Sequence, residues 1–194
     1  AYANPTHELE MAQRITARFG TGLHVALSHQ TSPEIREYER TSTTALNALL
    51  MPVISDYVDA LRRRMDAAGF TPRLYLVQSN GGVVTPEVAR RLPARLLLSG
   101  PSGGAIAAEQ MAKALDEPNL VAIDLGGTSF DVSVLTDSRA TLVNEGVVDG
   151  CPVRLPMIEI RTIGAGGGSL ARVDAGDRLL VGPESAGARP GPAC

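Results

Sequence analysis

The sequence predicts an α/β protein, a mixed sheet with flanking helices. Two observations carry this. Segments with helical apolar spacing alternate with short β-type runs along most of the chain. Two of those runs, residues 120–125 and 130–135, are separated only by Gly126, Gly127, Thr128 and Ser129. Strand, tight turn, strand is an antiparallel hairpin, so the sheet is not purely parallel.

The elements follow in order. Asn4 and Pro5 start a helix, Asn as cap and Pro at the first helical position, and Leu9, Ala12, Ile15 and Phe19 continue it to Gly20. Residues 23–28 (LHVALS) have the composition of a short buried strand. Ser32 and Pro33 start a further helix with Glu34 in its first turn. A long helical segment spans about 44–68, its apolar stripe running from Leu46, Leu49, Leu50 and Val53 to Met65. Pro52 is a possible kink, and Gly69 is a natural C-cap. Residues 73–78 form a strand, Thr85-Pro86 opens a short helix, and residues 95–98 form another strand. The turn Ser99-Gly100-Pro101-Ser102-Gly103-Gly104 leads into a helix at 105–115 with Ile106, Met111 and Leu115 turned inward.

Composition narrows the function. A chain of 194 residues is one domain, or one domain with part of another. Lys plus Arg is 18 and Asp plus Glu 21, net −3, which excludes the basic footprint of a nucleic-acid binder. Hydrophobic residues at 44% and charged residues at 20% exclude wholesale disorder. Cys151 and Cys194 are too few for a disulfide scaffold or a Cys-rich zinc site. No apolar run approaches the roughly 20 residues of a membrane helix, and residues 1–10 show no signal-peptide pattern. The expectation is a soluble, cytoplasmic protein with no nucleic-acid or membrane partner. Residues 1–97 hold 5 of the 20 glycines and a net charge of +2, residues 98–194 the other 15 and −5. That shift suggests a boundary near residue 95.

Three glycine-rich stretches bear chemistry. In Asp124-Leu125-Gly126-Gly127-Thr128-Ser129-Phe130-Asp131, two glycines let backbone N–H groups converge, and the Thr128 and Ser129 hydroxyls stand beside them. Such a nest holds a phosphate; it also serves as a plain hairpin turn. Asp124 at a strand end can hold Mg²⁺ through water, and Asp131 can orient a water or a metal. The Ser99 to Gly104 stretch precedes a helix N-terminus that suits an anion, or simply seats the helix on the sheet. It lacks the Gly-Lys-Ser/Thr of a Walker A loop. Gly164, Gly166, Gly167 and Gly168 suit close approach of backbone to a ligand or another segment, or form a mobile loop. Gly182 through Pro192 is a Gly/Pro-rich connection.

The remaining reactive residues are sparse. His7, His24 and His29 form no zinc spacing. His29 follows a strand in a polar loop, as an acid–base group or a hydrogen-bonded loop histidine. Neither cysteine has a sequence-local base. Arg62, Arg63 and Arg64 form a solvated helix face.

Together LSGPSGG (98–104), DLGGTSFDVS (124–133), TIGAGGGS (162–169) and GPESAGARPGPAC (182–194), in this order, resemble the hydantoinase A/oxoprolinase family. SHQTSPEIREYERTSTT (28–44) and QSNGG (78–82) resemble the segment just upstream. The resemblance implies an actin-like ATPase (ribonuclease H-like) fold of two lobes. It implies that residues 1–46 end an N-terminal lobe and 47–194 form the core of the next domain, truncated at its C-terminal side. A first phosphate hairpin is expected upstream, so the chain resembles an internal fragment.

The resemblance further implies an ATP-dependent subunit with Mg²⁺ that phosphorylates a small cyclic amide for ring-opening hydrolysis. A B-type subunit or domain is the implied partner. Gly126, Gly127, Thr128 and Ser129 are the implied phosphate contacts, Gly166, Gly167 and Gly168 the nucleotide-side loop. Asp124 is the implied Mg²⁺-side and catalytic group, and Asp131 a catalytic or metal-positioning one. The alternatives are an acetone/acetophenone carboxylase-type subunit acting on a ketone, and a non-catalytic actin-like nucleotide-binding module.

Overall fold

The computed structural model describes residues 2–189, 191 and 192. They divide into two units, residues 1–100 with 142–157, and residues 101–141 with 158–194. One division falls between Gly100 and Pro101, close to the change in composition.

The first unit is mainly helical. Helix α1 is Thr6–Phe19. Asn4 caps it as expected, its Oδ1 accepting from the Thr6 amide at 3.0 Å and the Thr6 hydroxyl at 2.7 Å. Helix α2 is the single turn Ser28–Thr31. The segment before it is no strand: Val25, Ala26 and Leu27 line an apolar groove with Ile15 of α1 and Ala45 and Ala48 further on. Their apolar character is used against helices, not in a ladder.

Helix α3, Glu37–Ala67, is one 31-residue helix through Pro52. It does not start at Ser32, because polar groups between 32 and 36 are used elsewhere. The Ser32 hydroxyl donates to the Arg154 carbonyl at 3.0 Å, and the Glu34 carbonyl accepts from the Arg40 guanidinium at 2.5 Å. At the other end Gly69 has φ +71°. Its amide donates to Asp66 O and that of Phe70 to Met65 O, the paired bonds of a glycine C-cap.

The buried stripe of α3 is Arg40, Thr43, Asn47, Met51 and Val58. Of the expected apolar stripe, Leu49, Val53 and Tyr57 are exposed. Thr43 and Asn47 are connectors. The Arg154 amide donates to Thr43 Oγ1 at 2.9 Å, while Asn47 donates to Arg91 O at 3.0 Å and accepts from the Ala94 amide at 3.1 Å. Each satisfies backbone that would otherwise be buried unpaired, a loss of about 1–3 kcal/mol per group.

Strands β1 (Leu76–Val77) and β2 (Val83–Val84) form a minimal hairpin, shorter than the strand expected at 73–78. Helix α4, Pro86–Arg91, starts at the Thr85-Pro86 signal. Residues 95–98 are not a strand: Pro93–Leu96 is a 3-10 turn, and Leu98 has φ +59°. The unit also holds β6 (Leu142–Val143), β7 (Gly146–Val148), β8 (Cys151–Val153) and the start of β9 (Met157–Ile158). Its core gathers Ala94, Val153, Leu155 and Met157, with Leu46 and Val148 packed on it.

The second unit carries most of helix α5, Ser99–Leu115. Ser99 to Gly104 are its first turns, not a loop before it. Pro101 is tolerated there because first-turn N–H groups have no intrahelical acceptor. Ile106 packs on the core as expected, but Met111 and Leu115 are exposed. The sheet runs in the order β10-β4-β3, with β3 Leu120–Leu125, β4 Phe130–Thr136 and β10 Arg161–Ile163, all antiparallel. The hairpin is as the sequence predicts. A short β5, Arg139–Ala140, pairs with the end of β4.

One sheet face, with Ser133 and Leu135, is buried, and Ala105, Ala140 and Ile158 form the core. The other face leaves Val121, Ile123, Leu125 and Val134 more than half exposed. Further along the chain β11 (Ser169–Val173) and β12 (Leu179–Ser185) form a separate hairpin. The expected loop from Gly182 is therefore strand up to Ser185, and Cys194 lies outside the described residues.

Candidate functional site

The site grows from the β3–β4 hairpin. Antiparallel register sets Asp124 directly opposite Asp131, so both carboxylates stand on one face. Thr162 of β10 pairs with Asp131 on its other side, and its hydroxyl donates to Asp131 Oδ1 at 2.5 Å. Like charges directly across a ladder repel, by up to about 1 kcal/mol.

At the tip, the Gly126 amide donates to Ser129 O at 2.9 Å. The amides of Gly127, Thr128 and Ser129 donate to no protein acceptor among the described residues. Three free N–H groups in one turn are donors available to an anion.

The glycine loop closes on this tip. Gly167 N donates to Gly126 O and Gly168 N to Gly127 O, both at 2.9 Å. The approach is so close that a Cβ on Gly166 would stand 2.6 Å from Gly126 O and 2.7 Å from Gly127 C and Thr128 N. Ser169 Oγ accepts from the Gly166 amide at 2.9 Å. The end of β12 completes the seam: Ala186 N and Ser185 Oγ both donate to Gly168 O, at 2.8 and 3.0 Å.

Two cavities adjoin the hairpin. One, about 430 Å³, is lined by Gly126, Gly127, Thr128, Gly167, Gly168 and Ser185, with Leu125, Gly187, Ala188 and Pro192, and by no acidic residue. The other, about 60 Å³, lies between Asp124, Asp131 and Ser133 on one side and Pro101 and Gly104 on the other.

The structure thus brings Asp124, Asp131, Gly126, Gly127, Thr128, Ser129, Gly166, Gly167 and Gly168 into one unit. The first turns of α5 meet the carboxylate end of the hairpin. Sequence reasoning gave no role to Thr162, Ser169 and Ser185. A serine closing a glycine run is a signal for Ser169; Thr162 and Ser185 depend on pairing between distant segments.

These residues fit a nucleotide phosphate with magnesium. Unclaimed N–H groups and hydroxyls suit phosphoryl oxygens. Magnesium keeps most of its waters and takes one or two carboxylates, which the Asp124–Asp131 pair offers. No cluster of three His, Cys, Asp or Glu side chains suited to a metal occurs among the described residues.

His29 is in the other unit. Its ring Nδ1 donates to Glu8 Oε2 at 2.8 Å, its amide donates to the same oxygen at 3.1 Å, and the Ser28 hydroxyl donates to Glu8 Oε1. Burial alone would raise the Glu8 carboxyl. The Ser28 hydroxyl and His29 outweigh it and lower the group from 4.5 to about 2. A carboxyl depressed by folding stabilises above its unfolded value, and that stability fades as pH falls through the folded one. The Glu8 contribution is therefore full above about pH 4.5 and lost toward pH 2. Denaturant unfolding of Glu8→Gln should show its largest deficit against wild type at neutral pH, with the two curves converging toward pH 2. Cys151 is a free, exposed thiol in the same unit. Among the described residues no helix is long and apolar enough to cross a membrane.

Residues 40–194 match the family model described as hydantoinase/oxoprolinase. Caprolactamase subunit alpha of Pseudomonas jessenii is 36% identical over 98% of this chain and 27% of its own length. The crystal structure of the ATP-dependent caprolactamase from that organism superposes with a TM-score of 0.82 at 35% identity, covering 98% of this chain and 28% of that one. Acetophenone carboxylase gamma subunit of Aromatoleum aromaticum is 33% identical over the whole chain and 27% of its own length. The 5-oxoprolinase of Saccharomyces cerevisiae is 36% identical over the whole chain and 15% of its own. The chain spans less than a third of each.

Proposed function

The chain belongs to the hydantoinase/oxoprolinase family, and on that premise we propose that it forms the phosphate-binding core of an ATP-dependent subunit that activates a cyclic amide for hydrolysis. Three unclaimed amides at Gly127, Thr128 and Ser129, the first two at residues lining a cavity free of acidic side chains, carry this reading. The likeness to an ATP-dependent caprolactamase supports it.

In this proposal the turn at Gly126, Gly127, Thr128 and Ser129 grips phosphate through N–H and O–H donors. The loop at Gly166, Gly167 and Gly168 forms the nucleotide-side wall. Asp124 holds magnesium, and Asp131 orients a water or the metal beside it. The first turns of α5 share the small cavity with the same carboxylates through Pro101 and Gly104. ATP would supply, when bound, the phosphoryl group that makes the amide carbon a better electrophile, so that water can add there and the ring C–N bond can break. The protein's share is to position and to neutralise charge, which is most of phosphoryl-transfer catalysis. The lobes are actin-like, with residues 1–46 ending one and residues 47–194 forming the core of the next. A B-type subunit or domain completes the hydrolysis in the cytoplasm.

The likeness to acetophenone carboxylase supports a second reading, in which a ketone enol is the acceptor and bicarbonate the co-substrate. One experiment separates them. The complete protein with its B-type partner is expected to form ADP when given a lactam, hydantoin or 5-oxoproline, with no labelled bicarbonate incorporated. Incorporation with a ketone would establish the carboxylase instead. Nucleotide binding without turnover of either substrate class would leave a binding module.

A further inference from the structure

The residues assigned so far leave one hydrogen bond without a role. Asp124, Asp131 and Thr162 form a single row across β3, β4 and β10. The bond from Thr162 Oγ1 to Asp131 Oδ1, at 2.5 Å, is the only protein hydrogen bond to either carboxylate among the described residues.

Its geometry has a consequence. Asp131 has two oxygens, and the hydroxyl occupies one, on the side away from Asp124. A carboxylate facing a like charge would turn away if free to do so. The bond fixes its torsion and leaves the second oxygen for the side shared with Asp124, where the small cavity lies. Fixing a carboxylate by a hydrogen bond to its other oxygen is how outer partners tune metal sites.

We propose that Thr162 is a positioning residue, its hydroxyl holding Asp131 in the orientation that presents the Asp124–Asp131 pair to magnesium. The inference rests on the nucleotide reading above. Thr162 touches neither substrate nor metal and acts only through Asp131. Its side chain is exposed, and valine has the same branching and favours strands, so Thr162→Val leaves the β4–β10 pairing in place.

The test uses the complete protein and calorimetric titration with ATP, in EDTA and across a magnesium series. For Thr162→Val the magnesium concentration that half-saturates the gain in ATP affinity should rise about ten-fold or more, the usual effect of losing an outer partner. ATP affinity in EDTA and the melting temperature should stay at wild-type values, and Thr162→Ser should restore the magnesium response. A wild-type response in Thr162→Val, or a Thr162→Ser no better than valine, overturns the role of Thr162 and leaves the nucleotide reading standing. Absence of magnesium-dependent ATP binding in the wild type overturns both.

Discussion

Replacing Gly166 by alanine should abolish ATP binding and lower the unfolding midpoint of the complete protein. The added methyl group would lie 2.6–2.7 Å from Gly126 O, Gly127 C and Thr128 N. All three are main-chain atoms at the tip of a hydrogen-bonded hairpin, so no side chain can rotate aside. Overpacking typically destabilises by about 1–3 kcal/mol, and here relief requires pushing the turn and the loop apart. That separation breaks the bonds from Gly167 and Gly168 to the turn and displaces the three free amides. Gly167→Ala is the matched control, since its nearest neighbour, Gly126 O, would lie at 3.7 Å. Calorimetry and thermal unfolding of the two variants should differ sharply. Equal behaviour would mean that the loop–turn contact has no part in binding.

Asp124→Asn should separate activity from stability. Substrate-stimulated ADP formation by the complete protein and its partner should fall about 10²- to 10³-fold, the scale on which losing one preorganised electrostatic group acts. The fold should not suffer. Asparagine has the same shape, and it relieves the repulsion between facing carboxylates, so stability should be unchanged or higher by about 0.5 kcal/mol. Steady-state kinetics beside denaturant unfolding checks both halves. A variant that keeps full activity, or loses stability in step with activity, removes Asp124 from the site.

The parts of this molecule legible in the sequence are those whose causes are local. The β3–β4 hairpin follows from two short β-type runs and the glycine turn between them, all within residues 120–136. The start of α1 follows from Asn4, and the end of α3 from Gly69. What could not be read depends on distant partners. Thr43 and Asn47 look like polar interruptions of an amphipathic helix. They are its buried connectors, because Arg154, Arg91 and Ala94 meet them.

The first turns of α5 were concealed by three glycines and a proline, residues whose intrinsic preferences oppose the helix that tertiary context imposes. Strands β5 to β10 are two or three residues long and carry too few residues for alternation to show. At the site, the glycines and aspartates stand out by type and spacing. Thr162 does not, because only the pairing of β10 with β4 makes it a neighbour of Asp131.

The seam between the Gly166 loop and the hairpin tip is written almost wholly in main chain. Its donors and acceptors are the same whatever the residue type, so substitution can act there through volume but cannot adjust charge or polarity. Such a contact can be broken but not tuned. Evolutionary change toward a new acceptor molecule finds only the hydroxyls of Ser169 and Ser185 to adjust along this seam, and divergence in specificity has to be built mainly from residues elsewhere.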